Sequence, residues 1–360
     1  AREKKETNLF LKSSFNLFLK LTIFLILFSF LVIIFIYLLG FQRWLNLAIA
    51  SIGFGFVYSF NNLIINMQAS YRKSGIVSFY QGLMTIMRFL FAILLIIIFG
   101  GKSEAALFGQ LIGLSLVLSS QYYYIKSTFN KENSEENHSG LDIDWDSKIM
   151  QFSIPLMSLG FLNWLRLAFE KWGLVFFANY DDSAVGYYSI IYQYGYYPIS
   201  LVVSLFISYL RPIYFEKAGD DNKKLKSTYR IGIKIFIFAF LSLFTIVIIT
   251  FYNRDLIFTI ILNKNYLSIS YLIGPMMMSA LFSESTNFVS LLLQTKNNTK
   301  KLFLPNASTY ISGIIFSIFG LYYLGLYGLV FASLINSIFK FLFFTFLCIS
   351  EYKKIDIYLR

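Results

Sequence analysis

Between Asn163 and Ala178 the chain reads NWLRLAFEKWGLVFFA, and three full charges, Arg166, Glu170 and Lys171, interrupt an otherwise apolar run. A charge at the centre of a membrane-spanning helix costs about 2.5–3.5 kcal/mol on insertion scales, and such groups usually face a bundle interior or a water-filled cavity. Arg166 and Glu170 are four residues apart, so on a helix they share a face and can pair. Asn163 lies on the same stripe, whereas Lys171 is rotated onto the stripe of Trp164 and Ala168. Two readings fit. Either these charges line an aqueous cavity, or Arg166 and Glu170 only fix helix packing while Lys171 snorkels to the outer interface.

Other polar groups in apolar surroundings raise the same choice. Arg88, in GLMTIMRFLFAILL, either snorkels to the cytoplasmic side or faces the lumen. Lys340, in NSIFKFLFF, lies near the middle of the last span, where snorkelling is harder, and faces either the lumen or the interior of its own bundle. Lys20 reads as an interfacial anchor. Glu284, in ALFSESTNF, is the acid best placed for coupling to H+ or Na+, or else belongs to a polar packing seam. The cluster YYSIIYQYGYY is rich in Tyr, which concentrates at membrane interfaces; within it Tyr192 and Tyr196 are four apart on one face. Catalytic chemistry has little support. Asp181 and Asp182 are adjacent and point apart on extended backbone, so they make a poor acid/base pair. No phosphate-binding loop is present. One histidine, His138, and one cysteine, Cys348 in an apolar run, argue against a metal site and exclude an internal disulfide.

The elements that must hold these groups follow from composition. The 360 residues are 57% hydrophobic and 14% charged, with a mean hydropathy of +0.63, far less charged than a soluble domain. Apolar runs long enough to cross a bilayer recur along the whole length. They predict ten helices: 16–39, 45–65, 83–100, 105–125, 149–178, 186–210, 231–252, 267–293, 302–321 and 325–349. The fold class is therefore an all-α polytopic membrane protein. The short connections read as loops, the outer ones including 253–266. Most of the 31 Lys and Arg fall at the N-terminus, in alternate loops such as 211–234, and at the C-terminus; the opposite loops hold only Arg43, Lys102, Arg254 and Lys264. This bias predicts that both termini are cytoplasmic. It also accounts for the net charge of +12 without a nucleic-acid partner. The polar stretch STFNKENSEENHSGLDIDWDS divides the chain into a lobe of four helices (1–126), a cytoplasmic linker (127–148) and a lobe of six helices (149–360).

Several segments resemble the bacterial O-antigen and capsule-type flippases of the multidrug/oligosaccharidyl-lipid/polysaccharide flippase superfamily. FSIPLMSLGFLNWLRLAFEKWGLVFFANYDDSAVGYYSIIYQYG is similar to the start of that family's second half, with Pro155 at the helix entry and Gly186, Tyr187, Tyr188 and Ser189 after the turn. LQTKNNTKKLFLPNASTYISGIIFSIFGLYYLGLYGLVFASLINSIFKF resembles its late hairpin, with a tight turn at Gly325 and Gly328. ASYRKSGIVSFYQGLMTIMRFLFAILLIIIFG resembles its fourth-to-fifth helix region. Against the family's twelve to fourteen helices, the first two are expected to be missing.

The resemblance implies two helical lobes around a central cavity, working by alternating access in the bacterial inner membrane. The implied cargo is an undecaprenyl-diphosphate-linked oligosaccharide, with membrane lipids and other polysaccharide-assembly proteins as partners and no cofactor. Under it, Arg88, Arg166, Glu170, Lys171 and Lys340 become cargo contacts, with a phosphate for Arg88. Glu284 becomes a coupling site for H+ or Na+, and Tyr192 and Tyr196 become sugar-stacking rings. Two alternatives stay open. One is a multidrug cation antiporter of the same superfamily, although no cation-binding carboxylate is evident in the first lobe. The other is an O-antigen polymerase-type enzyme, although the outer loops read as short.

Overall fold

The computed structural model describes residues 2–42, 45–70, 74–101, 103–133, 145–177, 182–218, 222–262, 264–294 and 300–358. Half of the expected linker, 134–144, and with it His138, lies outside the described residues. Secondary structure follows from the solvent. Lipid offers the backbone no hydrogen bonds, and a helix satisfies its own. The elements are α1 (Arg2–Leu38), α2 (Leu45–Ser70), α3 (Ser74–Ile98), α4 (Ser103–Asn133), α5 (Trp145–Phe177), α6 (Asp182–Ile191), a π-helical turn (Tyr192–Tyr196), α7 (Tyr197–Ala218), α8 (Asn222–Tyr252), α9 (Arg254–Ile261), a 3-10 turn (Lys264–Leu272) and α10 (Ile273–Gln294). The final helical run, Lys300–Tyr358, breaks at Gly325, where φ is 57°, into α11 (300–324) and α12 (326–358). Among the described residues, nine helical stretches are long and apolar enough to cross a membrane, and Leu302–Glu351 supplies two crossings because of this break. The protein is an all-α, multi-pass membrane protein.

Hydroxyls on these helices are tied back to their own backbone. Thr22 donates to the carbonyl of Phe18, Thr85 to Gln81, Ser115 to Leu111 and Thr245 to Leu241, each at 2.8–2.9 Å. An internal acceptor lets a hydroxyl sit on a lipid-facing helix without an open donor.

The chain separates into two compact units, Ala1–Gln151 and Phe152–Arg360. In the N-terminal unit the closest approach is α4 on α3. Gly109 and Gly113, one turn apart, leave no space for a Cβ against the backbone of Phe91, Ala92 and Met87. Small residues at this spacing let two helix backbones meet in a membrane. A buried amide pair, Gln121 Nε2 donating to Gln68 Oε1 at 2.8 Å, ties α4 to α2. Toward the lipid the apolar surface is bare: Ile23, Phe24, Leu27 and Leu31 of α1 are 62–65% exposed.

The C-terminal unit is more heavily packed. Tyr188, Ile191, Phe258, Leu272, Met276, Leu281 and Leu329 are fully buried together. The rings of Phe236, Phe288 and Phe341 meet at 5.5–6.1 Å between centroids, joining α8, α10 and α12. The α11–α12 hairpin closes on glycine: Gly320 and Gly328 touch backbone to backbone with no room for a Cβ on either.

Several connections are more helical than their composition predicts. Most of the basic stretch 211–234 is helix, because α7 runs to Ala218 and α8 starts at Asn222. Lys, Glu and Leu are good helix formers, so a helix continues past the bilayer edge when they follow it. For the same reason α4 extends into the expected linker as far as Asn133. The connection 253–266 is largely α9 and the start of the 3-10 turn, pinned where Ser270 Oγ donates to Asp255 Oδ1 at 2.7 Å and where Phe258 is buried.

Candidate functional site

A polar cavity of about 260 Å³ opens inside the C-terminal unit. Each helix that lines it contributes a stripe of residues three or four positions apart, the spacing that keeps side chains on one helix face. From α5 come Asn163, Arg166 and Glu170. The Arg166 guanidinium pairs with the Glu170 carboxylate, whose side chain is only 2% exposed. The second carboxylate oxygen accepts from Tyr188 Oη at 2.7 Å. Glu170 is thus satisfied on both oxygens, as a buried charge must be. Gly313 of α11 makes room for the arginine, since a Cβ there would fall 2.7 Å from Arg166 Cδ.

The next stripe is Tyr192, Tyr196 and Ser200. It begins in the π-helical turn, whose wider coil stacks residues four apart. The rings of Tyr192 and Tyr196 are nearly parallel, 7° apart, with centroids at 4.8 Å. Gly195, buried in this turn, lets Met276 of α10 come close. Single π turns are common at functional sites.

From α10 the stripe is Ser279, Ser283 and Asn287, joined by Glu284. Glu284 is buried and accepts from Tyr196 Oη at 3.3 Å and from Asn287 Nδ2 at 2.9 Å, while Tyr196 also donates to Ser283 Oγ at 3.0 Å. From α12 come two stripes, Ser333 with Ser337 and Asn336 with Lys340. Ser279 Oγ lies 2.9 Å from Ser337 Oγ, and Asn336 Oδ1 accepts from Ser312 Oγ of α11 at 3.0 Å. Lys340 Nζ sits 5.9 Å from the centre of the Tyr310 ring, close enough for a cation–π contact. Among the described residues neither Lys340 nor Glu284 has an ion-pair partner within 4 Å.

The cavity therefore brings together Arg166, Glu170, Glu284, Lys340, Tyr192 and Tyr196, six of the residues singled out from the sequence. It does not include Lys171, Arg88 or Lys20. Lys171 is exposed and rotated about a quarter turn away from the cavity stripe of α5, on the side of Trp164 and Trp172, whose rings meet edge-on at 6.1 Å. Arg88 belongs to the N-terminal unit, where Nη2 donates to Gln110 Oε1 at 2.9 Å and the guanidinium lies over Phe54 and Tyr58. Lys20 pairs with Asp146 at 3.3 Å. The sequence reading missed Tyr310, Asn336 and the serines of α10 and α12. Their signal was available as polar residues four apart inside apolar spans, including Ser279/Ser283, Ser333/Ser337 and Asn336/Lys340.

Chemically, the cavity is a place for a polar ligand. Among the described residues it offers a cation and an acid that lack ion-pair partners within 4 Å, several hydroxyls and amides, and a stacked aromatic pair.

No family model matches this chain, and no curated protein matches it. Solved structures do. An outward-facing conformation of a multidrug resistance MATE family transporter of the MOP superfamily superposes with a TM-score of 0.64 at 15% identity, covering 94% of this chain and 78% of that one. An inward-facing conformation of a multidrug resistance MATE family transporter gives 0.62 at 13% identity over 86% and 72%. A MATE crystallised in the straight conformation gives 0.62 at 14% identity over 92% and 78%. At such identities the likeness is one of fold: this is a multi-pass membrane protein with the fold of the MATE transporters.

Proposed function

We propose that the protein is an alternating-access transporter that flips an undecaprenyl-diphosphate-linked oligosaccharide from the cytoplasmic to the periplasmic leaflet of a bacterial inner membrane, serving surface polysaccharide assembly. The observation that carries this reading is Lys340, a cation inside a polar cavity with no carboxylate within 4 Å among the described residues. A diphosphate headgroup is anionic and cannot cross hydrocarbon unaided. The surrounding hydroxyls, amides and stacked tyrosines suit a sugar, which presents both hydroxyls and an apolar ring face. Alternating access is supported by the existence of this fold in both outward-facing and inward-facing forms. Orientation rests on the lysine and arginine bias: with Cys348 replaced, a cysteine label at Ser103 should react from the periplasmic side and one at Asn222 should not.

Complementation of a strain lacking its own flippase tests the cargo. Lys340→Gln should reach the membrane normally and lower surface polysaccharide strongly. The double variant Arg166→Gln with Glu170→Gln separates cargo contact from packing. Recovered export with both charges gone returns that pair to a structural role.

One observation favours a second reading, a multidrug cation antiporter. Glu284 is a buried acid of the same cavity with no cation within 4 Å among the described residues, and the superposing structures include multidrug resistance transporters. Under that reading Glu284→Gln abolishes drug resistance in a susceptible host, and Lys340→Gln leaves surface polysaccharide unchanged.

A further inference from the structure

Four charged side chains line the cavity of the C-terminal unit, two of each sign: Arg166, Lys340, Glu170 and Glu284. Arg166 and Glu170 pair with each other. Lys340 and Glu284 do not, and neither has an opposite charge within 4 Å among the described residues. They nevertheless stand at nearly one depth. Ser279 of α10 meets Ser337 of α12, and further along Phe282 meets Phe341 with ring centroids 5.6 Å apart, so the two helices run parallel. Glu284 follows Phe282 by two residues and Lys340 precedes Phe341 by one. At about 1.5 Å per residue the two charges therefore lie within about 5 Å of the same level.

Each also keeps hydrogen-bonding capacity in hand. Glu284 Oε1 accepts from Tyr196 Oη at 3.3 Å and Oε2 from Asn287 Nδ2 at 2.9 Å, which uses two of the roughly four acceptor sites of an ionised carboxylate. Lys340 carries three N–H donors, and the contact described for it is a ring face, that of Tyr310 at 5.9 Å. A purely anionic ligand would answer Lys340 and set its charge beside Glu284. A purely cationic ligand would do the reverse. Like charges brought together oppose binding, so the ligand that suits both residues carries one group of each sign. The cavity, about 260 Å³, is smaller than the pockets of about 300–1,000 Å³ that enclose drug-sized molecules, so it suits one sugar residue rather than a chain of them.

We propose that this cavity selects a zwitterionic unit, an amino sugar joined to phosphate, with the phosphate at Lys340 and the protonated amine at Glu284. The inference rests on the proposed cargo and narrows it: the sugar next to the diphosphate carries an unacylated amine. Glu284 is then a specificity residue rather than a coupling site for an ion, and Tyr196 and Asn287 hold its carboxylate toward the amine.

The test uses the purified full chain in dodecyl maltoside, titrated by microscale thermophoresis with glucosamine 1-phosphate, N-acetylglucosamine 1-phosphate, glucosamine and tetraphenylphosphonium. Losing a hydrogen bond to a charged group weakens binding about tenfold or more. Wild type should therefore bind glucosamine 1-phosphate at least about tenfold more tightly than either N-acetylglucosamine 1-phosphate or glucosamine. Glu284→Gln should erase the first preference and Lys340→Gln the second. The wild-type comparison decides the matter if a variant does not fold. N-acetylglucosamine 1-phosphate bound as tightly by wild type overturns the inference and leaves the flippase standing, as does a preference for the free amine that survives in Glu284→Gln. Glucosamine bound as tightly as its phosphate overturns both the inference and the phosphate contact at Lys340. A wild type that binds no sugar probe overturns the inference, and tetraphenylphosphonium bound in their place overturns the proposed cargo with it.

Discussion

Each unit carries an arginine within a long apolar helix, and the two are solvated in opposite ways. In the C-terminal unit Arg166 is neutralised by Glu170, which is held in turn by Tyr188. In the N-terminal unit Arg88 meets an amide and two rings, all uncharged. The first arrangement cancels charge, so its members depend on each other. The second keeps charge available, so its members depend on it little. Burial alone therefore does not say whether a membrane arginine is structural; the chemistry of its neighbours does.

The largest expected effect comes from splitting the neutralised pair. Glu170→Gln leaves Arg166 buried without a counter-charge, which should cost about 3–5 kcal/mol. It is read as a lowered thermal midpoint in detergent and a smaller folded fraction, and adding Arg166→Gln should restore most of the loss. A midpoint equal to wild type would mean that the pair is not a unit.

A smaller effect is expected from filling the space beside Arg166. Gly313→Leu puts side-chain atoms where Arg166 Cδ and Asn336 Nδ2 now lie. Overpacking of this kind costs about 1–3 kcal/mol. The same thermal assay checks it, and the matching change at Gly160, where a Cβ meets nothing within 4 Å, should be close to silent.

Tyr196→Phe removes one hydroxyl and its bonds to Ser283 and Glu284. The expected loss is about 1 kcal/mol, with ring stacking on Tyr192 kept. Chemical denaturation of the purified protein measures it, and a loss as large as that of Glu170→Gln would show that Glu284 needs this hydroxyl as strictly as Glu170 needs Arg166.

The smallest change in stability belongs to Arg88→Gln. It forfeits a cation–π contact of about 1–2 kcal/mol and a charged hydrogen bond of about 1.5–3 kcal/mol, but removes a charge within an apolar helix costing about 2.5–3.5 kcal/mol. The stability should lie within about 1 kcal/mol of wild type at the centre of these ranges. A drop comparable to that of Glu170→Gln would erase the contrast between the two arginines.

Much of this was legible in the chain. The membrane-spanning helices follow from apolar runs because lipid forces the backbone into helices. The Arg166–Glu170 pair and the Tyr192–Tyr196 stack follow from four-residue spacing, and the final hairpin from its glycines. Other features were not legible. The basic stretch 211–234 reads as loop by composition, yet its Lys and Glu carry helices onward. Residues 253–266 read as a loop, yet a buried Phe258 makes part of it a packed helix. Lys171 lies next to Glu170 in sequence, yet one is exposed and the other buried in the cavity wall.

By itself, then, the sequence determined the solvent, the class of fold and the polar stripe on each helix, because hydrocarbon and the helical repeat act on local segments. Only the tertiary structure decided which stripes converge. Lys340, Glu284 and Arg166 come from three helices more than fifty residues apart, and they share one cavity because helices approach closely at particular points. Gly313 admits the arginine, Gly195 admits Met276, and Gly320 against Gly328 folds α12 back along α11. In the other unit Gly113 sets Arg88 against α4, beside an amide rather than an acid. Close approach depends on the shapes of two surfaces at once, and no single stretch of chain contains both.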